Sequence, residues 1–138
     1  MTDNSNCPLP EGNLILRTLA MPSDTNANGD IFGGWIMSQM DIAGGILAKE
    51  TARSRVVTIA VDSFKFLKPV KVGDVVCCYG HVTRLGTTSV TLELEVWVKP
   101  VLRETEETCP RFKVTEALFT YVSIDENGVK QVIAREAS

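Results

Sequence analysis

Asp41 is a carboxylate set in an apolar stretch, Met40-Asp41-Ile42-Ala43-Gly44, and eight residues before it stand two consecutive glycines, Gly33 and Gly34. A carboxylate can take a proton as a general base. Backbone N–H groups at a helix start, where the partial charge is positive, can hold a developing oxyanion, and glycine lets a ligand approach that backbone closely. Directly before the pair runs Asn-Ala-Asn-Gly-Asp, residues 26–30, a turn signal that ends on Asp30, a residue type suited to capping a helix. Each feature also has an ordinary reading. Asp41 can be a helix-surface carboxylate paired with a nearby lysine, and residues 26–30 can be a turn with a cap and nothing more.

The elements that must position these residues can be read from hydrophobic period. Trp35, Ile36, Met40, Ile42, Ala43, Ile46 and Leu47 recur near helical spacing, which predicts a long helix from the glycine pair onward. Its internal Gly44 and Gly45 cost about 1 kcal/mol each relative to alanine in an exposed helix. The helix is therefore expected to lie largely buried against a sheet, with a neighbour coming close at the glycines. Residues 13–21 have strand length and end at Pro22. From residue 55 the period changes to two, and 55–70, 73–86, 87–101 and 111–125 read as strands. In the third of these Val90, Leu92, Leu94, Val96 and Val98 share one face, and Thr91, Glu93, Glu95 and Trp97 the other, as in an antiparallel sheet with one buried and one partly wet face. Turn signals stand at Gly86 and at Asn127-Gly128. The order strand, helix, four strands predicts an α+β fold in which a curled antiparallel five-stranded sheet wraps one long central helix.

At 138 residues the chain fits one domain, read as residues 13–138 behind a loose lead-in, 1–12. Fourteen basic residues scattered among seventeen acidic ones give a net charge of −3, without the basic footprint that nucleic acid requires. Cys7, Cys77, Cys78 and Cys109 include no Cys-x-x-Cys pair and His81 is the single histidine, a pattern read as neither a disulfide framework nor a metal site. His81, between Gly80 and Val82, reads as a non-catalytic strand residue. No apolar run approaches about 18 residues, so no membrane span is expected. The polar N-terminus has no secretory pattern, and the cytoplasm is the expected setting. The charged loop 103–110 reads as solvated.

The segments "LRTLAMPSDTNANGDIFGGWIMSQMD" and "VTIAVDSFKFLKPVKVGDVV", in this order, resemble the YciA-type acyl-CoA thioesterases of the hotdog-fold superfamily, with likeness running from about Leu14 to Arg135. The resemblance implies hydrolysis of acyl-CoA to free acid and CoA. It also implies a homodimer of hotdogs, a trimer of such dimers, and no cofactor beyond the CoA of substrate and product. Asp41 matches the family's catalytic acid, acting as general base or as a nucleophile that forms an anhydride. Gly33 and Gly34 then hold the oxyanion. Asp30 stands where the wider family often carries asparagine; it is counted with the catalytic residues, although capping alone would explain it. The eight residues between Gly33 and Asp41 span roughly 12 Å of helix, too far for one carbonyl to touch both. A dimer that sets Asp41 of one copy beside the helix start of the other resolves this and gives two shared sites.

For the CoA half, Asn28, Lys68, Arg84, Gly86, Thr87, Thr88 and Ser89 are the candidate contacts; the turn 84–89 resembles the segment where family members hold CoA phosphates, and Lys71 adds a cation nearby. The same residues also suit an ordinary polar connection and hairpin. No phosphate-loop motif is present. Two other functions fit the fold: a dehydratase, which would need a catalytic histidine near Asp41, and an acyl-CoA sensor that binds without hydrolysis.

Overall fold

Strict alternation makes residues 89–99 the centre of the sheet. Val90, Leu92, Leu94, Val96 and Val98 are all fully buried, each contributing roughly 1.5–3 kcal/mol of apolar burial. In this computed structural model, which describes residues 7–101 and 104–134, they belong to β4 (Ser89–Lys99). The other elements are β1 (Asn13–Leu19), α1 (Gly33–Ala52), β2 (Arg55–Phe66), β3 (Val75–Leu85) and β5 (Phe112–Ile124). The five strands form one antiparallel sheet in the order β1-β3-β4-β5-β2, so β1 and β2 are its edges. The expected five strands and one long helix are all present. The part of the family likeness beyond residue 134 lies outside the described residues, as do residues 1–6 of the lead-in and Arg103 of the charged loop.

One face of α1 meets the sheet, through Ile36, Met40, Ala43, Gly44, Ala48 and Ala52. These residues are mostly small, so the helix axis can sit close to the strands. The opposite face leaves Met37, Ile42 and Ile46 exposed. The expectation of a largely buried helix is thus corrected: one protomer buries the sheet-facing side of α1 and leaves the opposite side open.

The outer face of β4 also departs from its expected wetness. Glu95 and Trp97 are only 4% and 2% exposed. Glu95 accepts hydrogen bonds from the Glu11 N–H (3.1 Å), Trp97 Nε1 (3.0 Å) and Lys113 Nζ (3.4 Å). The N-terminal segment therefore lies over this half of the sheet. Gly12, at φ +86°, permits it: a Cβ there would run into the backbone of Gly80 and come within 3.1 Å of the His81 nitrogen.

Cys7 and Cys109 are joined in a disulfide across 102 residues, with α-carbons 5.7 Å apart. This corrects the reading of the cysteine spacing as unsuited to a disulfide framework. Spacing along the chain cannot show that a terminal segment and the β4–β5 loop meet. Cys77 and Cys78 are free and buried, and burial, with Cys77 adjacent, pushes the Cys78 thiol up to about 12.

The turn at Gly86 joins β3 to β4 as expected, its N–H donating to Ser89 O at 2.8 Å. The Asn127-Gly128 turn forms too, with Asp125 Oδ1 accepting from the N–H groups of Asn127 and Val129, both at 2.9 Å. It leads only to an isolated bridge between Ile124 and Lys130. Among the described residues, no helix is long and apolar enough to cross a membrane.

Candidate active site

The start of α1 is built by the loop before it. Asn26 Oδ1 accepts hydrogen bonds from the N–H groups of Asn28 (2.9 Å) and Asp30 (3.1 Å), and Asn26 N–H donates to Asp30 O at 2.7 Å. Asn26 therefore closes the turn, while Asn28 sits exposed at its tip. The loop is tied down at Ile31, whose N–H donates to Val70 O at 2.9 Å, and at Phe32, whose N–H donates to Asp24 O at 2.8 Å. Asp30 pairs with Lys71 through its carboxylate and does not cap the helix. The N-cap is Phe32, which offers no side-chain acceptor. Its carbonyl takes the N–H groups of Trp35 (3.1 Å) and Ile36 (3.3 Å), so those of Gly33 and Gly34 have no acceptor among the described residues. Gly33 borders the Phe66 ring, 2.8 Å from where a Cβ would stand, whereas around Gly34 the space is open. Asn26, Asp30, Gly33, Phe66 and Lys68 line one cavity of about 410 Å³.

Two turns further on, Asp41 is exposed on α1 with its carboxylate fixed at one oxygen. Thr58 Oγ1 on β2 donates to Asp41 Oδ1 at 2.6 Å, and Tyr121 Oη on β5 lies 2.9 Å from both Oδ1 and the main-chain oxygen of Asp41. Oδ2 has no partner among the described residues, which leaves it open to take a proton. Sequence reading missed Thr58 and Tyr121, and only Gly44 pointed toward them. A Cβ at Gly44 would collide with the Tyr121 hydroxyl, so the glycine makes room for the group that holds Asp41. Gly45 has no atom within 4 Å of its Cβ position, so the close neighbour expected at both glycines exists at Gly44 alone within one protomer.

Burial, and then the bond to the Asp41 carboxylate, raise the Tyr121 pKa far above the usual tyrosine value. An unfolded tyrosine ionises near pH 10, so the stability this group lends is complete below that value and drains away as the pH climbs past it. Tyr121→Phe is therefore expected to flatten the loss of unfolding free energy between pH 10 and about 11.5, followed by urea denaturation. Parallel slopes for wild type and variant would count against it.

The remaining candidates fall into two groups. Lys68 shares the cavity with Gly33, pairs with Glu107 and sits 5.1 Å from the Phe112 ring centroid. Arg84 and the turn residues Gly86, Thr87, Thr88 and Ser89 stand at the other end of the sheet, where Ser89 is opposite Val122 and next to the register of Tyr121. The turn is fastened there by Ser123 N–H to Thr88 O (2.8 Å) and Ile133 N–H to Thr87 O (2.9 Å). One protomer thus holds the candidates in two separate groups: Gly33, Gly34 and Lys68 at one end, and Asp41, Tyr121 and the Arg84–Ser89 turn at the other. His81 is paired with Glu93 across the β3–β4 ladder, and with Glu11 the two bring one potential ligand atom each to within 4.8 Å of one another. None of the three contacts the Asp41 cluster.

Comparison with known proteins gives a consistent result. The thioesterase superfamily profile matches residues 28–104. The acyl-CoA thioester hydrolase YciA of Escherichia coli (strain K12) is 59% identical over 128 residues, 93% of this chain and 96% of the relative. The crystal structure of a hexameric broad-specificity acyl-coenzyme A thioesterase superposes with a TM-score of 0.87 at 58% identity, covering 99% of this chain and 90% of that one. An acyl-CoA hydrolase from Staphylococcus aureus, solved with butyryl coenzyme A, coenzyme A and coenzyme A disulfide, superposes with a TM-score of 0.73 at 30% identity, covering 85% of this chain and 69% of that one.

Proposed function

This chain belongs to the thioesterase superfamily, among its YciA-type acyl-CoA thioester hydrolases, and from that premise we propose that it hydrolyses acyl-CoA thioesters at a site shared between two copies, each contributing residues 13–138 as one hotdog domain. The observation that carries the mechanism is the Asp41 carboxylate, fixed at Oδ1 by Thr58 and Tyr121 and open at Oδ2. Water placed at Oδ2 loses its proton to Asp41 as its oxygen bonds to the thioester carbonyl carbon. The carbonyl oxygen becomes an oxyanion held by the unpaired N–H groups of Gly33 and Gly34 of the partner subunit. The C–S bond then breaks, the proton passes from Asp41 to the departing sulfur, and free acid and CoA leave. Two hydroxyl donors on Oδ1 hold the carboxylate as an acceptor for water, which favours the general base over the anhydride route. Asp30, paired with Lys71, positions the loop that presents the glycines.

The separation of the candidates into two groups supports reading them as half-sites of one shared site. A twofold axis exchanges the ends of the protomers, so each Asp41 half-site faces a glycine half-site. The surface for this contact is at hand: edge strand β2 exposes Val57, Ile59 (56%) and Phe66 (53%), next to Ile42 and Ile46 of α1. The assembly we assign is a homodimer, and a trimer of such dimers, which gives the six copies of the hexameric relative. The same exchange brings Lys68 of one copy toward the Arg84–Ser89 turn of the other, with Asn28 at the rim, to hold the phosphates and pantetheine of CoA. CoA enters as part of the acyl-CoA substrate and leaves as product, no other cofactor takes part in these steps, and the cytoplasm is the proposed compartment.

Mixing inactive copies tests the sharing. Asp41→Asn and Gly33→Val protomers, dissociated and reassembled together, should recover about a quarter of wild-type activity, because half the dimers are mixed and each mixed dimer has one intact site. No recovery, with mixed dimers demonstrated by mass spectrometry, would place both groups within a single copy.

A further inference from the structure

On the face of the sheet turned away from α1, a cavity of about 230 Å³ is lined by Arg17 of β1, Tyr79 of β3, Lys99 at the end of β4, and Arg111 just before β5. Its floor includes Cys77 and Trp97, which are buried yet stand outside the helix-facing core cluster. We propose that this cavity is an anion site for the phosphate or pyrophosphate group of a small molecule, separate from the Asp41 and Gly33 half-sites.

Charge carries the inference. The chain has seventeen acidic residues to fourteen basic ones, yet three cations and no carboxylate line this cavity. Arg17, Lys99 and Arg111 make no ion pair among the described residues. Arg111 also borders a second cavity that holds Glu11, Glu95 and Glu107, but within this cavity the three cations face one another, and a bound anion converts their repulsion into attraction. The geometry is prepared as well. Arg111 Nη1 donates to Tyr79 Oη at 3.2 Å, which fixes one edge of the guanidinium and leaves the phenol hydrogen to donate to a ligand. Two guanidinium forks suit phosphate oxygens, which accept paired N–H donors. The buried floor strengthens these contacts relative to an open surface.

The experiment uses the full-length assembled protein, with inorganic pyrophosphate as the probe, read by calorimetry and by thermal unfolding. One pyrophosphate per protomer is expected, with affinity falling as salt rises and a midpoint of unfolding that increases with ligand. Arg17→Ala, Lys99→Ala and Arg111→Ala should each weaken binding at least tenfold, while their ligand-free midpoints stay level or rise because a repulsion has been removed. In Lys68→Ala, where the CoA-phosphate contact of the shared site is weakened, pyrophosphate binding at the Arg17–Lys99–Arg111 cavity should persist. Competition in the Lys68→Ala protein separates the sources: displacement by coenzyme A identifies its phosphates, and displacement by orthophosphate alone a free phosphate. Absence of binding, as when a second copy covers the cavity in the assembly, overturns the proposal. So does binding that survives all three substitutions.

Discussion

Asp41→Asn is expected to release thiol from acyl-CoA at least about 100-fold more slowly than wild type, the usual scale for losing a general base. The substitution is nearly isosteric, and the amide oxygen can still accept from Thr58 and Tyr121, so the side chain should keep its place. What it loses is the capacity to take a proton. Asp41 is exposed on α1 and supports no part of the core, so folding and assembly should be unaffected. The measurement is thiol release from short, medium, long and aromatic acyl-CoAs by both proteins, with CoA binding followed by calorimetry. A variant as fast as wild type removes Asp41 from the chemistry. If neither protein releases thiol while both bind CoA, the chain is a sensor with the fold of an enzyme.

Gly44→Ala should be the more damaging of two substitutions that look equivalent in sequence. Its Cβ would collide with the Tyr121 hydroxyl and stand 3.0 Å from both Tyr121 Cε1 and Leu94 Cδ1. Tyr121 cannot yield easily: it is 2% exposed and its hydroxyl lies 2.9 Å from two acceptor oxygens of Asp41. Overpacking at such a site costs about 1–3 kcal/mol. Displacing Tyr121 also frees the Asp41 carboxylate to turn, so activity should fall together with stability. Gly45→Ala meets nothing within 4 Å in the protomer and gains helix propensity of about 1 kcal/mol. Urea unfolding and thiol release on both variants decide the matter. A Gly44→Ala protein as stable and active as wild type would show that the Tyr121 contact can relax without consequence.

The fold was legible because its signals are local. Alternation in residues 89–99 depends only on which side chains avoid water, and five of the six apolar residues it pairs into faces went where expected. Trp97 did not, because its cover comes from residues 7–12, and nothing in the strand itself announces a segment more than eighty residues away. The same limit hid the partners of Asp41. Thr58 and Tyr121 lie 17 and 80 residues further along the chain. Each reads as an ordinary strand residue until register sets them opposite one another. Gly44 carried a trace of this contact, since a glycine within a helix signals a close neighbour but cannot say which. The Asp30 cap failed for a related reason: the carboxylate has a rival partner in Lys71, 41 residues away and bridged to it across the loop.

Strand order has one more consequence, which concerns time. β2 is complete by residue 66, yet its only strand neighbour among the described residues is β5, which begins at Phe112. During synthesis β1 can pair once β3 has emerged, and β3, β4 and β5 follow one another as adjacent neighbours. β2 alone must wait, through the making of three further strands, with Val57, Ile59 and Phe66 open to water and its ladder unsatisfied. Non-local pairing of this kind is slow and leaves apolar strands open to aggregation. The strand that we assign to the joining of two copies is therefore also the last to find its place within one.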